Sequence, residues 1–271
     1  MTRFKKYIEY KYIFTKQKIH GKIFLILRTK NKLKVVIIIK LQVKNISVSF
    51  KQQSVLNHCS FELQSGEIVG LIAPNGTGKT TLLNALLGLQ KIEQGTLTLI
   101  DPVLNFNTRE QILRQLFFIE SNANLYDYLT VEEHLLLVKK TWNSPVPLEE
   151  VIPFFNIQSF LKKKVKTLSL GMKQQVILTM YLISNCPIWL MDEPLTGLDP
   201  TNVYLFNQLL EHAKNNGHCI LMSSHNLTNI SEICTRVLFL KQGIIIEDIS
   251  TEEEQDLDTI YQQLFFTREG F

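Results

Sequence analysis

The stretch from Leu71 to Thr81, LIAPNGTGKTT, leaves few folds open to this chain. It follows the phosphate-loop pattern G-x-x-x-x-G-K-[ST] at every fixed position but the first, where Ala73 stands. A nucleotide's phosphates call for converging backbone N–H groups, a fixed positive charge and an oxygen ligand for their metal. Gly76 and Gly78 let the backbone fold tightly around phosphate with no Cβ in the way. Lys79 supplies the ammonium, and Thr80 supplies a hydroxyl for Mg²⁺, a cation that takes oxygen ligands. Asn75, Thr77 and Thr81 complete the nucleotide-binding set. Ala73 occupies the position that only starts the turn, so it removes no ligand and fits wherever φ is negative. The flanks supply the context the motif requires. GEIVGLI reads as a short apolar strand before the loop, and TTLLNALLGL has the apolar spacing of a helix after it.

A phosphate loop alone serves kinases, GTPases and many ATPases, and a second stretch narrows the choice. IWLMDEP reads as a buried strand that delivers Asp192 and Glu193 at its end. In a doubly wound sheet, ligands sit at the carboxyl ends of the strands, so this end and the loop are expected to face one crevice. There Asp192 suits Mg²⁺, and Glu193 suits a general base acting on an attacking water.

Bulk properties bound the rest. The chain has 271 residues, a length that fits one large domain or two small ones. Its longest apolar runs, IFLIL and VVIII, fall far short of the roughly 18 residues of a membrane span. Cys59, Cys186, Cys219 and Cys234 form no C-x-x-C pair, which argues against zinc and against a disulfide framework. The net charge of +4 conceals an asymmetry: residues 1–44 hold 13 Lys/Arg and one acid, while the remainder holds 16 Lys/Arg and 24 acids. A basic arm therefore precedes an acidic domain.

Residues 1–40 show no caps and no clean period, and form an extension of uncertain structure. Beyond them KLQVKNISVSF alternates as a strand, SFELQSGEIVGLI contributes two more around Ser65-Gly66, and GTLTLI another. Residues 108–119 read as a polar segment and the strand LFFI. Residues 130–166 read as helices: TVEEHLLLVKK opens on a capping box, Thr130 with Glu133, and PLEEVIPFF and SFLKKKV follow around Pro153. GMKQQVILTMYLI, NVYLFNQLLEHAKNN, TNISEICTRVL and the C-terminal DLDTIYQQLFF are helices. CILMSS is a strand, and VLFLKQG and IIIED pair as a hairpin. Strands alternating with helices in this order specify an α/β fold with a parallel sheet.

Between the two site motifs lies LSLGMKQQ, and here the chain resembles the nucleotide-binding domain of ABC transporters, with LSLGM at the family's LSGGQ signature. Ser169 stands 23 residues before Asp192; GLDP at residues 197–200 matches the D-loop, His225 the switch histidine, and Phe50 the aromatic that stacks on adenine. The resemblance covers about residues 41–250 and implies a P-loop NTPase core with an N-terminal antiparallel β subdomain and a helical signature subdomain at about 121–170. A C-terminal helix follows over 251–271. It further implies ATP and Mg²⁺ as ligands. Ser169 and Gly171 would act on the γ-phosphate held by another subunit, and Asp199 would couple the two sites. The implied partners are a second ATP-binding domain, in a homodimer or heterodimer, and a separate transmembrane permease, with nucleic acid not expected. The implied location is the cytoplasmic face of the membrane. Leu170 and Met172 depart from the signature as in a bacterial exporter-type branch. The family's glutamine before Tyr126 is also absent: Ser121 stands there after Glu120, so Ser121 is expected to reach the metal through water, or Glu120 directly. Two other readings stay open, a soluble ABC ATPase and a weakly active partner cassette. Residues 1–40 are expected to lie outside the ATPase, as translation from a start codon upstream of the true one or as a charged tether.

Overall fold

The computed structural model describes residues 39–50, 53–101, 108–120, 124–196, 198–225, 227–251 and 256–266, and the backbone strands at 13–19, 22–29 and 32–36. These three, β1 (Ile13–Ile19), β2 (Lys22–Thr29) and β3 (Lys32–Val36), form an antiparallel sheet of their own, an element not expected from the sequence. The chain continues through β4 (Lys40–Phe50), β5 (Gln53–Gln64), β6 (Ile68–Ile72), α1 (Lys79–Leu86), β7 (Gln94–Ile100), α2 (Arg109–Leu113) and β8 (Leu116–Phe118). It goes on through α3 (Val131–Thr141), α4 (Leu148–Val151), α5 (Leu170–Ser184), β9 (Ile188–Met191), α6 (Pro200–Asn215) and β10 (Cys219–Ser223). It closes with α7 (Leu227–Ile233), β11 (Arg236–Lys241), β12 (Ile244–Ser250) and α8 (Leu257–Phe266).

The central sheet has the order β12-β11-β6-β10-β9-β8, parallel except for the β11–β12 hairpin. Every residue of β6, β9 and β10 is buried, as both faces of a parallel sheet are covered. Alternation divides the two faces. Ile68 and Ile72 join the core beneath α3, α5 and α6, while Val69 and Leu71 join the one formed with α1, β4 and β5. Gly70 lies under α7, where a Cβ would come within 2.9 Å of Ile230 Cγ2.

The antiparallel sheet β5-β4-β7 contains a device that alternation alone does not reveal. Leu41 and Val43 face inward, then Ile46 and Val48, so the inward phase of β4 shifts by one residue at Asn45, which has φ +50°. His58 on β5 makes the matching shift with the same φ. These are β-bulges, which keep both halves of each strand facing the core. Gly95 on β7 lies against the bulge, where a Cβ would stand 2.4 Å from the Lys44 and Asn45 carbonyl oxygens. Ile39 belongs to this fold: its N–H donates to Ser65 Oγ and its carbonyl accepts from the Ser65 N–H.

Three segments differ from expectation. Residues 109–113 are a short helix with its own capping box, Thr108 with Gln111. The run 148–166 is not two helices. It comprises the single turn α4 and 3-10 turns at 152–155, 157–160 and 165–167, broken where Asn156 takes φ +54°. Helix α7 ends at Ile233, and β11 takes over at Arg236. Within the helical part, α3 is capped as expected: Thr130 Oγ1 accepts from the Glu133 N–H at 3.2 Å, and the Thr130 N–H donates to Glu133 Oε2 at 2.6 Å.

Candidate functional site

Strands β6, β10 and β9 lie side by side and end on the same edge, so the segments that follow them meet there. After β6 the loop turns through Gly76, with φ +78°, and Gly78, with φ +109°, and runs straight into α1. Both φ values favour glycine. At Gly78 a Cβ would also press at 3.3 Å on Val55 and Leu56. Ala73 is buried and is not among the residues of positive φ, so the alanine fits its position. Thr77 Oγ1 donates to the Pro74 carbonyl at 2.7 Å and braces the loop. Lys79 is buried, and its Nζ donates to the Ala73 carbonyl at 2.6 Å. Burial draws its pKa down, while the charges of Glu193 and Asp192 oppose that shift.

From the end of β9, Asp192 reaches across to α1, and its Oδ2 accepts from the Thr80 hydroxyl at 2.9 Å. Its Oδ1 accepts from the hydroxyl of Ser223, the last residue of β10. The next residue, Glu193, takes φ +46°, an uncommon conformation for a side chain of this kind. Its N–H donates to Ser223 Oγ at 2.9 Å, and its Oε2 lies 2.7 Å from Nδ1 of the exposed His225. A cleft of about 520 Å³ runs from Asn75 past Asp192, Glu193 and His225 to Glu120 and Gln174. Gln174 also steadies the acidic turn, donating from Nε2 to the Pro194 carbonyl at 3.2 Å.

The fold thus gathers Asn75, Lys79, Thr80, Asp192, Glu193 and His225 at one edge. Thr81 continues α1, half-buried. Phe50 ends β4 with its ring 56% exposed, as a stacking residue requires. Ser169 and Gly171 lie elsewhere, at the start of α5. Ser169 Oγ accepts from the Met172 N–H at 3.3 Å. A Cβ on Gly171 would stand 2.9 Å from Asn202 Nδ2, so the starts of α5 and α6 touch at this glycine. Asp199 caps α6, accepting from the Asn202 N–H at 2.9 Å and from Asn202 Nδ2 at 2.8 Å. The Asn202 backbone N–H holds the Asp199 carboxyl below the usual carboxylate range. Ser121 lies outside the described residues, whereas Glu120 lines the cleft. Ser223 was not singled out from the sequence: its only signal there is its place two residues before His225.

Thr80 and Asp192 offer the hard oxygen donors that suit Mg²⁺, with room for phosphate oxygens and water to complete the shell. Among the described residues no group of three or more His, Cys, Asp or Glu could by itself hold a metal ion. Also among the described residues, no helix is long and apolar enough to cross a membrane.

Residues 56–196 match the protein family described as ABC transporter. The chain is 29% identical over 238 residues to the lantibiotic transport ATP-binding protein SrtF of Streptococcus pyogenes, covering 84% of this chain and 99% of that one. It is 29% identical to the lipopolysaccharide export system ATP-binding protein LptB of Haemophilus influenzae, covering 79% and 91%. Among solved structures, an ATP-binding subunit of an ABC transporter superposes with a TM-score of 0.72 at 29% identity, over 85% of this chain and 95% of that one. The family match spans the phosphate loop, the paired acids and the start of α5, and the fold agrees with it: the chain belongs to the ABC transporter family, as an ATP-binding, ATP-hydrolysing component of such a transporter.

Proposed function

We propose that this chain drives an exporter from the cytoplasmic face of the membrane, paired with a second ATP-binding domain and seated on a separate transmembrane permease. The observation that carries the reading is the edge where Thr80 meets Asp192 and Glu193 meets His225, at the ends of adjoining strands. The family supports the pairing and the permease. Likeness to a protein named for lipopolysaccharide export supports the outward direction.

In this reading the loop N–H groups at Asn75–Lys79 cradle the phosphates, and Phe50 stacks on the adenine. Lys79 leaves the Ala73 carbonyl for the phosphate oxygens, where anionic charge restores its pKa. Thr80 and Asp192 would hold Mg²⁺, with Glu120, which lines the cleft, as a further carboxylate in place of the missing glutamine. Bound there, Mg²⁺ neutralises the charge that builds on the phosphates as the bond breaks. Glu193 takes a proton from the attacking water, and His225 orients that carboxylate and faces the γ-phosphate. Ser169 and Gly171 present the start of α5 to a nucleotide on the partner domain. Purification from detergent-extracted membranes tests the assembly: a multi-span membrane protein should accompany the chain in fixed ratio. Recovery of the chain alone, or with ribosomes or DNA, would overturn it.

A further inference from the structure

We propose that Ser223 is a positioning residue for the reaction: one hydroxyl sets both the metal-facing carboxylate of Asp192 and the backbone turn that presents Glu193. This rests on the roles proposed above for those two acids.

The geometry is specific. Ser223 is fully buried at the end of β10, one residue beyond the Met222–Met191 pair that registers β10 against β9. A serine hydroxyl has one proton to give and lone pairs to receive. Here the proton goes to Asp192 Oδ1, and the oxygen receives the Glu193 N–H. Thr80 occupies the other carboxylate oxygen, Oδ2. The carboxylate is therefore pinned from both sides, by Thr80 from the phosphate loop and by Ser223 from the strand between. When the Thr80 oxygen turns to a metal, Ser223 is the contact that remains, and it leaves Oδ2 turned toward the phosphate loop.

The second bond matters for a different reason. Glu193 holds φ +46°, a strained conformation for this residue that persists only where its surroundings fix it. The bond from its N–H to Ser223 is one such constraint, and the bond of its carboxylate to His225 is another. Only Ser224 separates Ser223 from His225, so one strand end carries both the group that sets the Glu193 backbone and the group that sets its side chain. Groups that orient a metal's ligands typically matter by 10–100-fold in metal affinity or activity when removed.

The test uses the full chain with Mn²⁺ as a spectroscopic probe in the presence of a non-hydrolysable ATP analogue. Ser223→Ala adds no bulk and should fold. Its affinity for the analogue in EDTA should stay within about twofold of the parent, because Lys79 and the loop N–H groups are untouched. Its Mn²⁺ affinity in the ternary complex should fall about tenfold or more, and kcat with it. Ser223→Thr, which restores the hydroxyl, should recover Mn²⁺ binding to within about threefold of the parent. An unchanged Mn²⁺ affinity in Ser223→Ala would overturn the proposal, as would an equal loss in EDTA, which would mark general damage. A folded Ser223→Thr that fails to recover Mn²⁺ binding would overturn it too. Asp192→Asn separates this from the broader reading. If it binds Mn²⁺ as tightly as the parent, the role of Asp192 itself is wrong. If it binds weakly while Ser223→Ala does not, only the role of Ser223 fails.

Discussion

Lys79 keeps its ammonium on a backbone carbonyl of its own loop, and this contact predicts how the loop responds to change. Lys79→Ala should abolish ATP binding measured by titration, since the loop then lacks its fixed positive charge; retained micromolar affinity would show that N–H groups alone suffice. Ala73→Gly should leave ATP affinity within about twofold, because no ligand and no positive φ is involved, and should lower stability by about 0.4–1 kcal/mol through the freer unfolded chain. A several-fold gain in affinity would show that the alanine impairs the loop. Lys79, Thr80, Asp192, Glu193 and His225 were legible in the sequence because each carries its chemistry in its residue type and its spacing. Ser223 was not, since a serine acquires its role only from strand register, which sets what stands opposite it. Where the family has a glutamine before Tyr126, the sequence offered Ser121 or Glu120. Ser121 lies outside the described residues while Glu120 lines the cleft, so Glu120→Ala should weaken Mg²⁺ binding; no change in the metal titration would remove it from the site.

At the scale of elements, the start of α5 depends on the start of α6. Gly171 leaves room for Asn202, which in turn holds Asp199 by two hydrogen bonds. Gly171→Ala should therefore lower stability by about 1–3 kcal/mol through overpacking. The loss should shrink in an Asn202→Ala background, because the obstructing amide is gone. Equal losses in both backgrounds, read from denaturant melts, would show that the contact is not what makes the glycine necessary. Helices with a cap and a long apolar face were legible, α3 from Thr130 and Glu133 among them. Helix α2 was missed although Thr108 and Gln111 cap it, because a five-residue helix that buries only Ile112 shows no period. The turns between 148 and 167 were read as helices because apolar letters recur there, yet Pro153 and the left-handed Asn156 cut the run into single turns. The bulges at Asn45 and His58 show in the sequence only as doubled polar steps, Lys44-Asn45 and Asn57-His58, which reading the strands as simple alternation passes over.

Across the whole molecule, the order β6-β10-β9 is what turns separate motifs into one site; the sequence implied a parallel α/β sheet and a shared crevice but not that order, which depends on which strands pair in space. Among the described residues, sheet β1-β2-β3 pairs with no strand of the other two sheets, whereas Ile39 bonds to Ser65. Deleting residues 1–38 should accordingly leave ATPase activity unchanged, and a loss in steady-state assays would tie that segment to the enzyme. Acid sensitivity follows from two histidines in apolar surroundings, His134 buried and His218 half-buried against the Trp189 ring. Burial lowers the pKa of His134, and it pushes His218 down to about 4. A depressed folded-state pKa leaves stability intact above the unfolded value near 6.5 and removes it as pH falls toward the folded one. His218 alone should cost on the order of 1–2 kcal/mol at pH 5, and His218→Gln should flatten part of the slope of melting temperature against pH. An unchanged slope would place the sensitivity in other groups. The account as a whole rests on Glu193 acting on a nucleotide held by the phosphate loop, and single-turnover hydrolysis of bound ATP by Glu193→Gln measures this directly. The variant should hold ATP as tightly as the parent and form an ATP-dependent dimer, with hydrolysis slowed by roughly 10²–10⁴-fold; turnover near the parent's rate would contradict the account.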